Sequence, residues 1–457
     1  MAHTLTRTER STTMRLSLIY ACRMLGLFMI LPVFAPYGET LTGATPFLIG
    51  LAIGIYGASQ AVLQIPLGRL SDYVGRPPVI VGGLLLFVLG SVIAALSTHI
   101  DGVIAGRLLQ GAGAIGSSLA ALLADSTREE TRTRAMGIIG MTVGFSFFIA
   151  MVLGPVLMHA IGLRGIFWLS ALLGLLGIVL LSTLPRSPTH RLHRDAELDP
   201  VQFTAILAHP LLVRLNAGVL LTHAVLTLTF IALPFVLLNH THLSAQDQWR
   251  VYLPALVIAC IVLFPAIMVA EIKHRLKEGV LIATVLMGVT EIVLYAGVET
   301  VWGIGILLCV FFSAFSFLEA TLPSLTSKIA PPAGKGTAMG IFSTAQFLGI
   351  FIGGLAGGAL LSGHVISNIF LLAGALMLIW FIIVLFMPEP PYFHSKIIHI
   401  GALTPSQQAK LQAELRNLSG VKDVALIAND ESAYLKVDKK LLNDAELQRI
   451  LTSFTHP

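Results

Sequence analysis

The stretch "PLGRLSDYVGRPP" (66–78) decides how this chain is read. It sets one acid, Asp72, with Arg69 and Arg76 in a short segment framed by Gly68 and Gly75, between the apolar runs 47–69 and 78–98. Each run has the length, about 20 apolar residues, that a helix needs to cross a bilayer core, where every backbone donor and acceptor must be satisfied within the segment. A charged, glycine-bounded loop between two such runs is the turn of a helical hairpin at a membrane surface.

Outward from this loop the same length recurs about a dozen times. The spans are read at 15–36, 47–69, 78–98, 102–125, 135–159, 165–184, 209–238, 249–271, 279–298, 301–325, 337–362 and 365–387. With 55% hydrophobic and 12% charged residues among 457, the chain lacks the polar surface of a water-soluble globule. Its net charge of +5 therefore speaks of loop topology and not of nucleic acid. Arg7, Arg10 and Arg15 precede the first span, Arg69 and Arg76 follow the second, and Arg128, Arg132 and Arg134 follow the fourth. Arg186, Arg191 and Arg194 follow the sixth, Lys273, Arg275 and Lys277 the eighth, and Lys328 and Lys335 the tenth, while the opposite loops hold little beyond Arg164 and Arg250. The positive-inside rule then places both termini in the cytoplasm. Cys22, Cys260 and Cys309 all fall in apolar spans with no CxxC pair, which argues against structural disulfides. The first span is too long, and too soon followed by a second, to read as a cleaved signal peptide.

The polar run "PRSPTHRLHRDAELD" (185–199) divides the spans into two sets of six. The expected organisation is a first six-helix half (1–185), a cytoplasmic linker (186–208), a second half (209–387), a short linker (388–395) and a small domain (396–457). The halves carry traces of a repeat: "PLGRLSDYVGR" (66–76) aligns with "PAIMVAEIKHR" (265–275), and "RAMGIIGMTVGFSFFIAMVLG" (134–154) with "TAMGIFSTAQFLGIFIGGLAG" (337–357). Paired halves of this kind are a transporter architecture, with the substrate near the midplane between them. Beyond 395 the pattern turns to βαββα: strands "KIIHI", "KDVALIA" and "SAYLKVD", and helices "TPSQQAKLQAELRNL" and "LNDAELQRILTSF". This unit resembles a ferredoxin-like α+β domain whose last strand is missing or short.

"GRLSDYVGRPP" resembles the loop signature of the major facilitator superfamily, Gly-x-Leu-x-Asp-x-x-Gly-Arg, and follows the second span as it does there. Leu25-Gly26 with Pro32 and Pro36 resemble the first-span pattern of twelve-helix drug/proton antiporters, and "RLLQGAGA" (107–114) resembles the fourth-span signature linked to proton coupling. The fifth-span antiporter signature is present only in Gly154-Pro155, because Met158 and His159 stand where two glycines are usual. With "KGTAMGIFSTAQFLG" (335–349) and the tail, nearly the whole chain is similar to the YajR-type group, whose C-terminal YAM domain is ferredoxin-like. The resemblance implies an all-α membrane fold of twelve helices in two six-helix halves, in the bacterial inner membrane. It implies a non-enzymatic, proton-driven secondary transporter of a small molecule, working by alternating access.

Within that frame the residues divide into two sets. Gly68, Asp72, Gly75, Arg76, Asp125 and Arg134 form a gating loop, in which Asp72 is expected against the start of span eleven near Gly336 to Met339, and Arg76 against Asp125. The plainer reading is that these charges only anchor the loop and set topology. Arg23, Arg107, Glu291 and Glu319 are charges inside spans, which cost at least about 2.5–3.5 kcal/mol each if isolated, and are candidates for coupling. Gln110 accompanies Arg107 in its signature, and an acid beside an arginine would suit reversible protonation. Glu319 can also be read as reaching the cytoplasm and Glu291 as a partner for another span, while His223 in span seven is a further coupling candidate that could titrate near neutrality, or a satisfied hydrogen-bonding group. Gln60 and Gln64 lie one turn apart and suit either a ligand or a neighbouring helix. No GxxxxGK[ST] motor occurs, the generic "NHTHL" (239–243) reads as solvated loop and not as a metal site, and no cofactor is implied. The apolar span faces fit an amphipathic solute better than a sugar. Proton symport, uniport, or a membrane sensor acting through its tail are the competing readings, with tail residues such as Lys396, Lys422, Asp430 and Lys439 open to an ion, a ligand or a protein partner.

Overall fold

The structure is a computed structural model that describes residues 4–184, 200–241, 243–244, 247–331, 334–363, 365–389, 394–400, 405–427, 432–437 and 441–455. Helix α1 (Arg7–Phe28) opens on a capping box in which the Thr6 hydroxyl accepts from the Glu9 amide at 3.2 Å and Glu9 Oε2 accepts from the Thr6 amide at 2.8 Å. The helix that carries the first span therefore starts at Arg7, ahead of the membrane stretch read from 15, because the cap draws the charged leader into the helix. It also stops at Phe28 and not at 36: Pro32 has no amide hydrogen to donate, and a short α2 (Phe34–Gly38) resumes after the break.

Helix α3 (Pro46–Val74) is capped by Thr45 and ends at Gly75, whose φ of 104° only glycine adopts without strain, so α4 (Arg76–Leu96) reverses direction within one residue. The span read as continuous over 102–125 is two helices, α5 (Ile100–Ala112) and α6 (Gly116–Asp125). The break falls where Gly113 lies against α4: a Cβ on Gly113 would stand 2.2 Å from the Gly83 carbonyl oxygen. Spans five and six follow in α7 (Glu129–Ser182), reversed at Gly162 with φ 68°. The second half comprises α8 (Pro200–Ala208), α9 (Pro210–Thr241), α10 (Trp249–Ile272), α11 (Leu276–Tyr295), α12 (Val301–Ile329), α13 (Lys335–Leu361) and α14 (Ser367–Leu385). Helix α8 occupies the end of the expected linker, and its Ile206 packs with Ala330, Ala338 and Ile341. Arg186, Arg191 and Arg194 lie outside the described residues. Among the described residues ten segments are long and apolar enough to cross a membrane. The segment Arg134–Ser182 divides at Gly162 into two, and α1, too charged to count by hydropathy, completes twelve.

In the first half α1 packs on α7, and α4 on α5 and α7; in the second, α11 packs on α14 and α10 on α12. The halves meet chiefly along α3 and α13. Their contact is glycine on glycine: a Cβ at Gly50 would stand 2.3 Å from the Gly354 carbonyl oxygen, and one at Gly57 2.4 Å from the Phe347 carbonyl oxygen. Gly353 and Gly349 serve the other face of α13, where a Cβ would meet the carbonyl oxygens of Ala224 and Leu220 of α9 at 2.5 and 2.2 Å. In a bilayer, where apolar surface gains nothing by leaving lipid, such close approach through small residues is what holds helices together. The seal lies at the weakly charged end of the bundle, away from Asp72 and Arg76. Towards the basic end the contact loosens: a Cβ at Gly340 would reach only Ile65, at 3.9 Å, and those at Gly137, Gly140, Gly144 and Gly336 would have nothing within 4 Å. Between the two ends an aromatic bridge crosses the halves, from Phe28 to Phe147 (centroids 5.0 Å apart) to Phe315 (5.7 Å).

The tail is β1 (His394–His399), α15 (Pro405–Asn417), β2 (Val421–Ile427), β3 (Ser432–Val437) and α16 (Asp444–Thr455). The strands form a sheet of order β1-β3-β2, with β3 antiparallel to both neighbours and Leu435 opposite Val424 and Lys396. Its own core includes Leu411, Leu415, Val424, Leu435 and Leu447. Asp430 and Lys439 lie outside the described residues, as do the side chains of Lys396 and Lys422.

A leucine at Gly50 has no room against the Gly354 and Gly358 backbone. Gly50→Leu is expected to insert but to part α3 from α13, so that spin labels on Thr40 and Ser362 stand several ångströms farther apart than in the wild type; an unchanged distance would contradict the seal.

Candidate functional site

At the basic end, Gly75 turns the chain so that Arg76 faces back along α3. Its guanidinium bonds the Asp72 carboxylate, donates to the Ser71 hydroxyl at 2.8 Å, and reaches Asp125 Oδ2 on α6 at 3.3 Å. Gly68 makes room for α6, since a Cβ there would meet Ser117 Oγ at 2.9 Å. Arg134 is exposed and forms no ion pair among the described residues. Asp72 makes no hydrogen bond to the 336–339 backbone among the described residues; its carboxylate is spent within its own loop. In the second half the aligned acid, Glu271, pairs with Lys328 at the end of α12 at 3.0 Å, so each half clips one loop to a neighbouring helix with the charges exchanged.

A second device at this end was not singled out in the sequence. The buried Glu9 accepts the Arg128 amide at 2.8 Å, Arg128 Nε at 3.0 Å, Arg128 Nη2 at 3.1 Å and the Thr131 hydroxyl at 3.0 Å. Arg128 holds the Glu9 carboxyl well below the usual carboxylate range, overcoming the opposing effect of burial, with help from the backbone amides of Arg128 and Thr6 and from Thr131. The signal is the T-x-x-E spacing of Thr6 and Glu9, which lies ahead of the apolar run that marks the span.

Midway along the first half sit two guanidiniums. Arg107, buried and 4.9 Å above the Tyr56 ring, donates to the Ala52 carbonyl (3.2 Å), the Ile53 carbonyl (3.5 Å) and Gln110 Oε1 (3.0 Å), and Gln110 in turn donates to Ser91 Oγ at 2.7 Å. Arg23, wholly buried, donates through Nη2 to Gln60 Oε1 at 2.8 Å. Neither has a carboxylate within ion-pair distance among the described residues. Gln64, a turn beyond Gln60, accepts the Ser117 hydroxyl through its backbone carbonyl at 3.1 Å. Gly154 and Pro155 lie against the break in the first span, where a Cβ on Gly154 would stand 2.5 Å from the Met29 carbonyl oxygen.

The second half holds the acids. Glu319 lies ten residues before the end of α12 (329 − 319) and bonds within the bundle instead of at the surface. Its Oε2 is 3.4 Å from His223 Nε2 on α9. Gln346 on α13 bridges the two, donating to Glu319 Oε1 at 3.2 Å and to His223 Nε2 at 2.8 Å. Because His223 Nδ1 lies 3.0 Å from the Val219 carbonyl, this bond pattern assigns the hydrogen to Nδ1 and leaves Nε2 as acceptor. Gln346 was missed as a site residue, although it is a lone amide in the apolar run "STAQFLG". Glu291 on α11 is fully buried; its Oε1 accepts the Thr229 hydroxyl at 2.8 Å and its Oε2 has no partner. A small cavity between the halves is lined by Leu27, Phe28, Ile53, Arg107, Leu226 and Ile350.

The sequence matches the Major Facilitator Superfamily over residues 16–353 and 218–422, and the YajR YAM domain over 404–453. It is 44% identical over 444 residues to the inner membrane transport protein YajR of Escherichia coli (strain K12), covering 97% of each chain. It is 25% identical over 366 residues to the quinolone resistance protein NorA of Staphylococcus aureus (strain MRSA252), covering 77% of this chain and 90% of that one. Among solved structures, a bacterial homologue of the human lysosomal transporter Spinster, inward-facing and occupied, matches with a TM-score of 0.68 at 15% identity, over 85% of this chain and 98% of that one.

The Glu9 contacts give a pH prediction. A carboxyl whose pKa is lowered on folding stabilises the fold above its unfolded value, about 4.3, and that contribution is lost as pH falls through the folded value. Glu9→Gln is expected to lower stability at neutral pH by about 1.5–3 kcal/mol, the worth of hydrogen bonds to a charged group. The gap between wild type and variant in thermal unfolding should narrow only well into acid; a gap absent at neutral pH would remove the role given to Glu9.

Proposed function

The chain belongs to the Major Facilitator Superfamily of membrane transporters, and from that premise we propose that it is an inner-membrane, proton-coupled exporter of a small amphipathic solute. The basic end faces the cytoplasm, as the loop charges require under the positive-inside rule, and the two halves rock about the cavity between them. The reading is supported at a distance by the names of relatives, an inner membrane transport protein and a quinolone resistance protein.

The observation that carries it is the bridge of Gln346 between Glu319 and His223. One amide gives both of its hydrogens to two bases on two other helices. A proton that arrives on His223 Nε2 displaces the Gln346 hydrogen from that nitrogen, and one that arrives on Glu319 Oε1 displaces it there. Either event unfastens α13 from α9 or α12, and α13 is the helix whose glycines also seal against α3. Proton occupancy and the closure of one end thereby act on the same element, which is what coupling requires. The Asp72, Arg76 and Asp125 cluster holds the α3–α4 turn to α6, so that the basic ends of these helices move as one piece and gate that mouth. Arg107 and Gln110 brace α5 against α3 and α4 on the cavity wall.

In liposomes of purified protein with an imposed pH gradient, solute addition is expected to drive proton flux in the direction opposite to the solute. Glu319→Gln should cut that flux by about tenfold or more while leaving solute binding measurable, and Asp72→Asn should slow transport with normal insertion. Flux of proton and solute in the same direction would favour symport, and solute movement without protons a uniporter. No transport in the full chain, with a phenotype that needs residues 396–457, would replace the proposal by the sensor reading.

A further inference from the structure

The wall of the first half presents the charge opposite to that of Glu319 and Glu291. Arg23 is 0% exposed and Arg107 3%, and each carries a full charge that neutral acceptors solvate but do not offset. Among the described side chains the carboxylates of this half are committed or exposed: Glu9 binds Arg128, Asp72 and Asp125 bind Arg76, and Glu39 and Asp101 are exposed. Three donors at the cluster lack any acceptor. They are Arg23 Nε, Arg23 Nη1 and the Tyr56 hydroxyl, and Tyr56 is the residue whose ring Arg107 covers. Buried donors are satisfied in nearly all native structures, so an orphaned set points to a group that arrives from outside the chain. Arg107 itself lines the cavity between the halves, and Leu27, one turn from Arg23 on α1, lines it as well.

We propose that the central cavity takes solutes that carry an anionic group, a carboxylate, sulfonate or phosphate, which seats against Arg23, Arg107 and the Tyr56 hydroxyl. The apolar body of the solute lies against Leu27, Phe28, Ile53 and Leu226. Guanidinium is suited to this task because its charged donors are fixed in one plane and pair well with anionic oxygens, and on Arg23 both Nε and Nη1 lack an acceptor. The proposal rests on the transport reading and narrows its solute to an amphipathic anion.

The test reads binding without a proton gradient, so its failure and the failure of coupled transport are separate results. Full-length protein in phosphatidylcholine nanodiscs is titrated calorimetrically with phenylbutyrate, phenylbutylamine and phenylbutanol, three probes of one apolar body and different charge, each to about 10 mM, beyond the millimolar end of ordinary affinities. Phenylbutyrate is expected to bind at least about tenfold more tightly than the other two. Arg23→Gln and the milder Tyr56→Phe, which keeps the ring, should each weaken phenylbutyrate alone. Equal binding of the three probes, preference for the amine, no binding of phenylbutyrate, or phenylbutyrate binding unchanged in Tyr56→Phe would overturn the proposal. Loss of phenylbutyrate binding when phosphatidylglycerol replaces part of the phosphatidylcholine would assign the cluster to a lipid headgroup, which also overturns it.

Discussion

The contact of α3 with α13 constrains the rest of the molecule. Two helices meet backbone to backbone at Gly50, Gly54, Gly354 and Gly358, at distances where no other residue leaves room for its Cβ. Because lipid is as apolar as the helices, this contact draws on close packing and not on release of water. A seal of that kind has no large hydrophobic term to hold it shut. It has two ends of different composition, glycine at one and larger residues such as Ile65 at the other, and the halves can pivot between them.

Charge is arranged to suit that freedom. Among the described residues, Arg23 and Arg107 are buried in the first half with no carboxylate paired to them, and in the second half the buried Glu291 and the partly buried Glu319 pair with no lysine or arginine. These unpaired groups are what the proposed anion site on one side and the proposed proton site on the other rest on. Gln346 ties the acid side to the helix that forms the seal. At the basic end the situation is reversed, since Glu9, Asp72 and Asp125 all have arginine partners. Those pairs tie helices of the first half to one another, as Glu271 and Lys328 tie α10 to α12 in the second.

Much of this was legible in the residues. Length and apolarity alone mark most of the spans, and Gly75 and Asp72 mark the hairpin, because a bilayer permits so few solutions for an unbroken apolar run. The βαββα order of the small domain was readable from its alternating pattern. What was not legible depends on partners distant in sequence. The helix start at Arg7 depends on a local cap, and Glu9 finds Arg128 only in three dimensions. The break at Gly113 reflects the approach of Gly83 from another helix, which no window of hydropathy contains. Arg107 is held by the Ala52 and Ile53 carbonyls of α3, partners that its own stretch of sequence does not contain, and Gln346 drew no notice because a single amide in an apolar run carries no charge to explain.

The central claim is that protonation and closure act on the same helix. It is tested most directly by measuring, in nanodiscs, distances between spin-labelled pairs placed at both ends of α3 and α13 as pH is stepped from alkaline to acid, in the wild type and in Glu319→Gln. The account predicts reciprocal changes in the wild type, one end widening as the other narrows, and distances in the variant that no longer respond to pH. Distances that stay fixed in the wild type, or that respond equally in the variant, would contradict it.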